Sequence, residues 1–139
     1  YGAKVVGLDE IYDIDMDIYA PCALGATIND ETLSRLKCSI IAGAANNQLA
    51  IENVHGQAVM DKGIIYAPDY ALNAGGVINC YSEVKSFSAA WAMGKAEEIY
   101  GTIGNIVRRS KSDNTPTYQI ANKMAEERIA AIGNVKLPM

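Results

Sequence analysis

The side chains in this sequence best placed to do chemistry are amides set among small residues. Four short segments are the candidates: Pro21-Cys22-Ala23-Leu24-Gly25, Gly43-Ala44-Ala45-Asn46-Asn47-Gln48, Pro68-Asp69-Tyr70 and Asn73-Ala74-Gly75-Gly76. An amide both donates and accepts, so such loops suit a planar, uncharged hydrogen-bonding ligand group better than a metal ion. Asn46 and Asn73 each stand beside small residues that let a ligand approach the backbone, and for both, ligand contact and turn chemistry weigh evenly. Cys22, directly after Pro21, has the position of a nucleophile; no histidine accompanies it, and the reading as a small packed thiol outweighs the catalytic one. Asp17 and Asp69 are candidate general bases that lack a histidine or second carboxylate at a telling spacing. They read instead as strand-start polarity and a helix cap. His55, the single histidine, lies in a polar stretch away from these loops and is expected to be solvated. Cys22, Cys38 and Cys80 form no C-x-x-C pair, so neither a disulfide framework nor a zinc site is indicated.

The elements that must hold these segments follow a β, α, β, α, β rhythm. Residues 3–6 and 17–20 read as short strands, the second ended by Pro21, with an acidic turn or short helix between them. Asn29 or Asp30 can cap a helix running through Leu33 and Leu36 to Lys37, acidic at its start and basic at its end. Residues 39–42 form the next strand, 52–62 a helix closed by Gly63, and 64–67 a strand stopped by Pro68. Connections this short imply a parallel sheet with right-handed crossovers, whose strand ends line a ligand crevice. Past Val77 the spacing is helical through roughly Lys111. It is helical again from 116 to 131, where Thr115 is the expected N-cap and Pro116 the first helical residue. Ala92, Ala96, Ile99, Ile103 and Ile106 share one face that should pack inward. Gly94, Gly101 and Gly104 each cost about 1 kcal/mol relative to alanine in a helix, so close helix contact is the expected reason for them. The division expected is a sheet-bearing part, 1–80, and a helical part, 81–139.

Composition excludes several classes. The 139 residues are 50% hydrophobic, enough for a core, and carry a net charge of -4, which disfavours a binder of phosphate backbones. No apolar run approaches the roughly 20 residues that span a bilayer, and the start has no signal-peptide pattern. The scattered cysteines fit a reducing cytosol. Because residue 1 is Tyr rather than Met, further chain is expected upstream.

The segments Asp17-Ile18-Tyr19-Ala20-Pro21-Cys22-Ala23-Leu24-Gly25-Ala26, Ile41-Ala42-Gly43-Ala44-Ala45-Asn46-Asn47-Gln48-Leu49 and Tyr66-Ala67-Pro68-Asp69-Tyr70 through Asn73-Ala74-Gly75-Gly76-Val77-Ile78-Asn79 carry a resemblance. So does Ala125-Glu126-Glu127-Arg128-Ile129. In this order they resemble the cofactor domain of the glutamate, leucine, phenylalanine and valine dehydrogenases, most of all the leucine branch. The resemblance implies an α/β fold: a partial Rossmann-type, doubly wound parallel sheet followed by C-terminal helices, its first two strands and glycine-rich phosphate loop missing from this chain. It implies NAD as cofactor and reversible oxidative deamination of L-leucine and other branched-chain amino acids to 2-oxo acids and ammonia. By the same matching, Cys22 and Ala23 would lie along the cofactor near the nicotinamide. Asn46 would bind the nicotinamide ribose and reach toward substrate, and Asn73 would help fix the nicotinamide. Val77 and Cys80, one helical turn apart, would help shape the side-chain pocket. A cytoplasmic homo-oligomer is the family's habit.

The departures shape the expectation. The family's catalytic lysines and aspartate belong to an N-terminal domain that this sequence does not contain, so no residue here is assigned as catalytic and the chain alone should be inactive. Cys80 stands where an apolar residue is expected of a leucine-specific enzyme. Rival readings are a non-catalytic nucleotide-binding or assembly module, and a dehydrogenase specific for phenylalanine, valine or glutamate. Without the missing strands, residues 3–6 should not pair with residues 17–20.

Overall fold

The computed structural model describes residues 2–133. Two compact units adjoin in sequence between Asn73 and Ala74, so the boundary expected after residue 80 lies within a helix.

The first unit is built on a three-stranded parallel sheet in the order β1 (Ile18–Tyr19), β2 (Ile40–Ile41), β3 (Ile65–Tyr66). Ile18 lies beside Ile40, and Ile40 beside Ile65. Bonds from Ser39 N to Asp17 O, Ala42 N to Tyr19 O and Ala67 N to Ile41 O carry the ladder to the flanking residues, within the runs expected from sequence. Tyr19, Ile41 and Tyr66 are buried on one face, as alternation along a strand requires. They join Ile28, Leu33, Leu36, Val59 and Ile64 in the core.

The crossovers are α1 (Asp30–Arg35) and α2 (Glu52–Asp61), and a short α3 (Asp69–Leu72) follows β3. Asn29 caps α1 by accepting from the Glu31 and Thr32 N–H groups, while Thr32 Oγ1 takes the Asn29 N–H in a reciprocal capping box. At the other end of α1, Lys62 Nζ reaches from beyond α2 to the carbonyls of Leu33, Ser34 and Leu36. Those are orphan acceptors of a helix end, and a cation suits them. Helix α2 closes as expected on Gly63 at φ +76, with Gly63 N bonded to Met60 O and Ile64 N to Val59 O, a turn that needs a left-handed residue. The acidic stretch forms a 3-10 helix, Glu10–Asp13, tied to α1 by Arg35, whose guanidinium meets Asp9 and Asp13 and lies 5.6 Å from the Tyr12 ring centroid. Residues 3–6 form no strand: Val5 is 95% exposed and nothing pairs them with residues 17–20. A strand without a neighbour leaves its backbone groups to water.

The second unit is helical: α4 (Gly75–Val84), α5 (Ala89–Asp113) and α6 (Thr117–Gly133). The helical spacing expected past Val77 through roughly Lys111 is divided between two helices, with a break after α4. Ser86 adopts φ +55 and Ser88 starts α5 as an N-cap, accepting from Trp91 N at 3.2 Å. Tyr81, Phe87 and Trp91 pack around this corner, with the Phe87 and Trp91 rings 4.6 Å apart. Ala92 and Ile106 are buried on α5 as its inward face requires. The explanation offered for the α5 glycines is overturned. A Cβ at Gly94, Gly101 or Gly104 would meet no atom within 4 Å among the described residues. Thr115 does not cap α6 either; its hydroxyl turns back to the Asp113 carbonyl, and the Pro116 carbonyl takes the first helical bond from Ile120 N.

Candidate functional site

Three strands ending side by side bring the four candidate segments together, and Ala44 is the meeting point of three of them. Its N–H donates to Cys22 Sγ at 3.5 Å, and its carbonyl accepts from Asn73 Nδ2 at 3.1 Å. The same Asn73 Nδ2 donates to Asn46 Oδ1 at 2.5 Å. Asn46 and Asn73, 27 residues apart, therefore form one unit at the carboxyl edge of the sheet. The pairing uses one donor of Asn73 and one acceptor of Asn46, and each amide also carries a group of the other kind.

Small residues make this convergence possible. A Cβ on Gly43 would lie 2.1 Å from Pro21 O and 2.5 Å from Pro21 N, and one on Gly25 would lie 2.7 Å from Asn46 O. The loops after β1 and β2 cross at backbone contact, sealed by bonds from Ala45 N to Pro21 O and from Ala26 N to Asn47 O. Gln48 is the buried stitch. It is 0% exposed, and its Nε2 donates to Gly43 O at 2.6 Å and Ala45 O at 2.9 Å. Its backbone N–H donates to Asp69 Oδ2 at 3.0 Å, while Asp69 Oδ1 takes the Tyr70 N–H. Asp69 thus opens α3 and ties the β2 loop to β3; it accepts two backbone protons and is a fastening residue.

Other candidates land differently. Cys22 is exposed and so is not the packed thiol expected. Pro21 is buried at the end of β1 and the chain turns outward after it. Ala23 follows on the same exposed stretch and, with Cys22, lines an apolar cavity of about 340 Å³ along β1 that also holds Tyr12, Tyr19 and Leu24. Burial pushes the Tyr19 hydroxyl up to about 12, and Tyr66 also rises through burial, the nearby Asp69 charge adding to it. Both remain protonated near neutrality and supply no base. His55 is buried at 3% exposure, against the expectation of a solvated ring, because Ile51 N donates to its Nδ1 at 2.8 Å and draws the ring into the first turn of α2. Asp17 contributes its carbonyl to the sheet, accepting from Ser39 and Ile40, with an exposed side chain. Val77 and Cys80 lie one turn apart on α4 in the second unit, both exposed.

The sequence reading passed over Gln48 and the glycines at 25 and 43 as individual actors. The available signal was an amide three residues after Ala45, in a run of small residues ending a strand.

A three-stranded parallel sheet with helical crossovers, its carboxyl edge trimmed for backbone approach and furnished with amides, defines an α/β unit. Comparison with known proteins makes this specific. The chain belongs to the Glutamate/Leucine/Phenylalanine/Valine dehydrogenase family, whose sequence profile matches residues 2–136. It is 51% identical over 134 residues to leucine dehydrogenase of Bacillus cereus, covering 96% of this chain and 36% of that protein. It is 54% identical over 129 residues to leucine dehydrogenase of Thermoactinomyces intermedius, covering 93% of this chain and 35% of that protein. The crystal structure of L-tryptophan dehydrogenase from Nostoc punctiforme superposes with a TM-score of 0.92 at 45% identity, over 96% of this chain and 40% of that one. The chain thus spans little more than a third of the length of such relatives.

Proposed function

We propose that this chain is the cofactor-holding part of an NAD-dependent amino acid dehydrogenase that reversibly deaminates L-leucine and other branched-chain amino acids to 2-oxo acids and ammonia. The sheet is then the later half of a Rossmann-type domain, and the assembled enzyme is a cytoplasmic homo-oligomer. The observation that supports this most is the Asn46–Asn73 bond, which joins two amides at a strand edge where the neighbouring loops cross at glycines. NAD, when bound, supplies the hydride acceptor for the substrate α-carbon. The chain's own residues bind and orient. Asn46 engages the nicotinamide ribose and reaches toward substrate, Asn73 holds Asn46 and the nicotinamide carboxamide, and Cys22 and Ala23 run alongside. Val77 and Cys80 offer an apolar surface to the substrate side chain; a thiol serves there as a small hydrophobe.

No helix among the described residues is long and apolar enough to cross a membrane. The chain alone is expected to lack activity, since it spans little more than a third of the length of its dehydrogenase relatives. The test is to assay the full-length protein for NADH formation with leucine, isoleucine, valine, phenylalanine, tryptophan and glutamate. The branched-chain substrates are expected to lead in kcat/KM by at least about tenfold, a difference that one pocket methylene or so can supply. A preference for tryptophan or phenylalanine would refute the specificity, and no NAD reduction with any amino acid would refute the reading itself.

A further inference from the structure

His55 is a buried imidazole in the first unit that the site as described does not use. Its Nδ1 accepts the Ile51 N–H at 2.8 Å, so that nitrogen carries a lone pair and the ring proton sits on Nε2. Nε2 is buried and lies 3.4 Å from Asp30 Oδ1, across from α2 to the first turn of α1, without making a hydrogen bond to it. Ile51 ends the segment that begins with Asn46. Every step between them is tied down: Ala26 N bonds to Asn47 O, Ile28 N to Gln48 O, and Ala50 N to Ile28 O. Gln48 N is held by Asp69. Asn47 sits at φ +52, a strained conformation for a non-glycine residue, which holds only while its neighbours over-determine it. The Ile51–His55 bond is the last fastening, and it meets the reach of Asn46 from the far end.

We infer that His55 is a positioning residue for the dinucleotide site: its Nε2–H tautomer keeps Nδ1 as the acceptor that fixes Ile51 and, through the 47–50 ladder, the placement of Asn46. This rests on the reading of Asn46 as a cofactor contact. The chemistry required is an acceptor at the Nδ1 position, which asparagine reproduces with its Oδ1 and glutamine, whose amide sits one carbon further out, does not.

The experiment uses the full-length protein with His55→Asn, His55→Gln and His55→Leu. Two readouts are independent of NAD. Long-range ¹⁵N–¹H spectra of the imidazoles, with the His55 signal assigned by its loss in the variants, should show the proton on Nε2. Hydrogen exchange of the Ile51 amide should remain slow in the wild type and His55→Asn and become at least about tenfold faster in His55→Gln and His55→Leu, as loss of one hydrogen bond implies. The third readout is NAD affinity by titration with KM and kcat in parallel. His55→Asn should stay within about twofold of wild type, while His55→Gln and His55→Leu lose about tenfold in NAD affinity. A proton on Nδ1, or equal exchange and equal affinity in the Asn and Gln variants, would overturn the inference. Exchange that follows the expected order in a wild-type protein that does not bind NAD would sink the functional reading and leave the His55 clamp standing.

Discussion

Gly43 is where the site depends most directly on a single missing atom. An ordinary Cβ contact begins near 3.4 Å, and an alanine here would place its Cβ 2.1 Å from Pro21 O, 2.5 Å from Pro21 N and 2.6 Å from Pro21 Cδ. All three belong to backbone or to a ring fixed to it, so no rotamer change relieves the clash. The two loops must part by more than 1 Å. That movement is opposed by the Ala45 N to Pro21 O bond at 2.9 Å, the Ala42 N to Tyr19 O bond at 3.0 Å and the Gln48 Nε2 to Gly43 O bond at 2.6 Å. Overpacking of this kind costs about 1–3 kcal/mol. Losing one or two of those bonds with their partners left buried adds about 1–3 kcal/mol. The expected loss for Gly43→Ala is therefore about 2–6 kcal/mol, a large share of a typical folding free energy of about 5–15 kcal/mol.

Equilibrium urea unfolding of the full-length protein measures this, with thermal melting as a second readout at about 2–4 °C per kcal/mol. Gly94→Ala is the internal control. Its Cβ would meet nothing within 4 Å on the exposed side of α5, so it should gain up to about 1 kcal/mol from helix propensity. The two substitutions have the same chemistry and opposite expected signs. If Gly43→Ala fell within about 1 kcal/mol of wild type, the crossing of the β1 and β2 loops at backbone contact would be refuted.

Lys62→Met keeps the aliphatic stem and removes the cation from three α1 carbonyls; denaturant unfolding should show a loss of about 1.5–3 kcal/mol, and a neutral result would mean that water satisfies those carbonyls equally well. The Arg35 hydrogen bond holds the Asp13 carboxyl below the usual carboxylate range, so its stabilisation is present above that range and is lost as pH falls through the lowered value. Melting temperature followed from about pH 6 to pH 2 should fall less steeply in Asp13→Asn than in wild type, and parallel curves would contradict the pairing. Asn73→Ala frees Asn46 Oδ1 and should weaken NAD binding by about threefold to tenfold with little change in melting temperature, the ratio that one lost hydrogen bond implies; unchanged affinity would remove Asn73 from the site.

What could be read from the residues was whatever is decided locally. The Asn29 cap, the Gly63 turn and the three strand runs follow from side chains acting on backbone within a few positions, and each is present. What escaped was decided by partners distant in the chain. His55 looked solvated because its neighbours in sequence are polar; it is buried because its own helix turn carries Nδ1 to the Ile51 amide and packing brings Asp30 across from α1. Ser86 and Ser88 divide a stretch of helical spacing between two helices, and the spacing did not announce it, since periodicity records which side of a helix is apolar and is blind to a change of axis. The α5 glycines failed for the opposite reason. A real energetic oddity was assigned a cause, close packing, that this chain does not provide.

The candidate site follows the same division. Asn46 and Asn73 were legible as amides beside small residues, but turn chemistry explained each of them equally well in isolation. Their bond across 27 residues is what neither residue's own neighbours announce: it joins the two amides at one edge of the sheet. The residues that make the pairing exact in space, Gly43, Gly25 and Gln48, form no catalytic motif and would be ranked low by any search for reactive groups. They set where backbone can come within reach of backbone, and the amides inherit their positions from that approach. For this class of site, the informative unit in sequence is thus the small residue that ends a strand together with the amide a few positions on, since the first fixes the second.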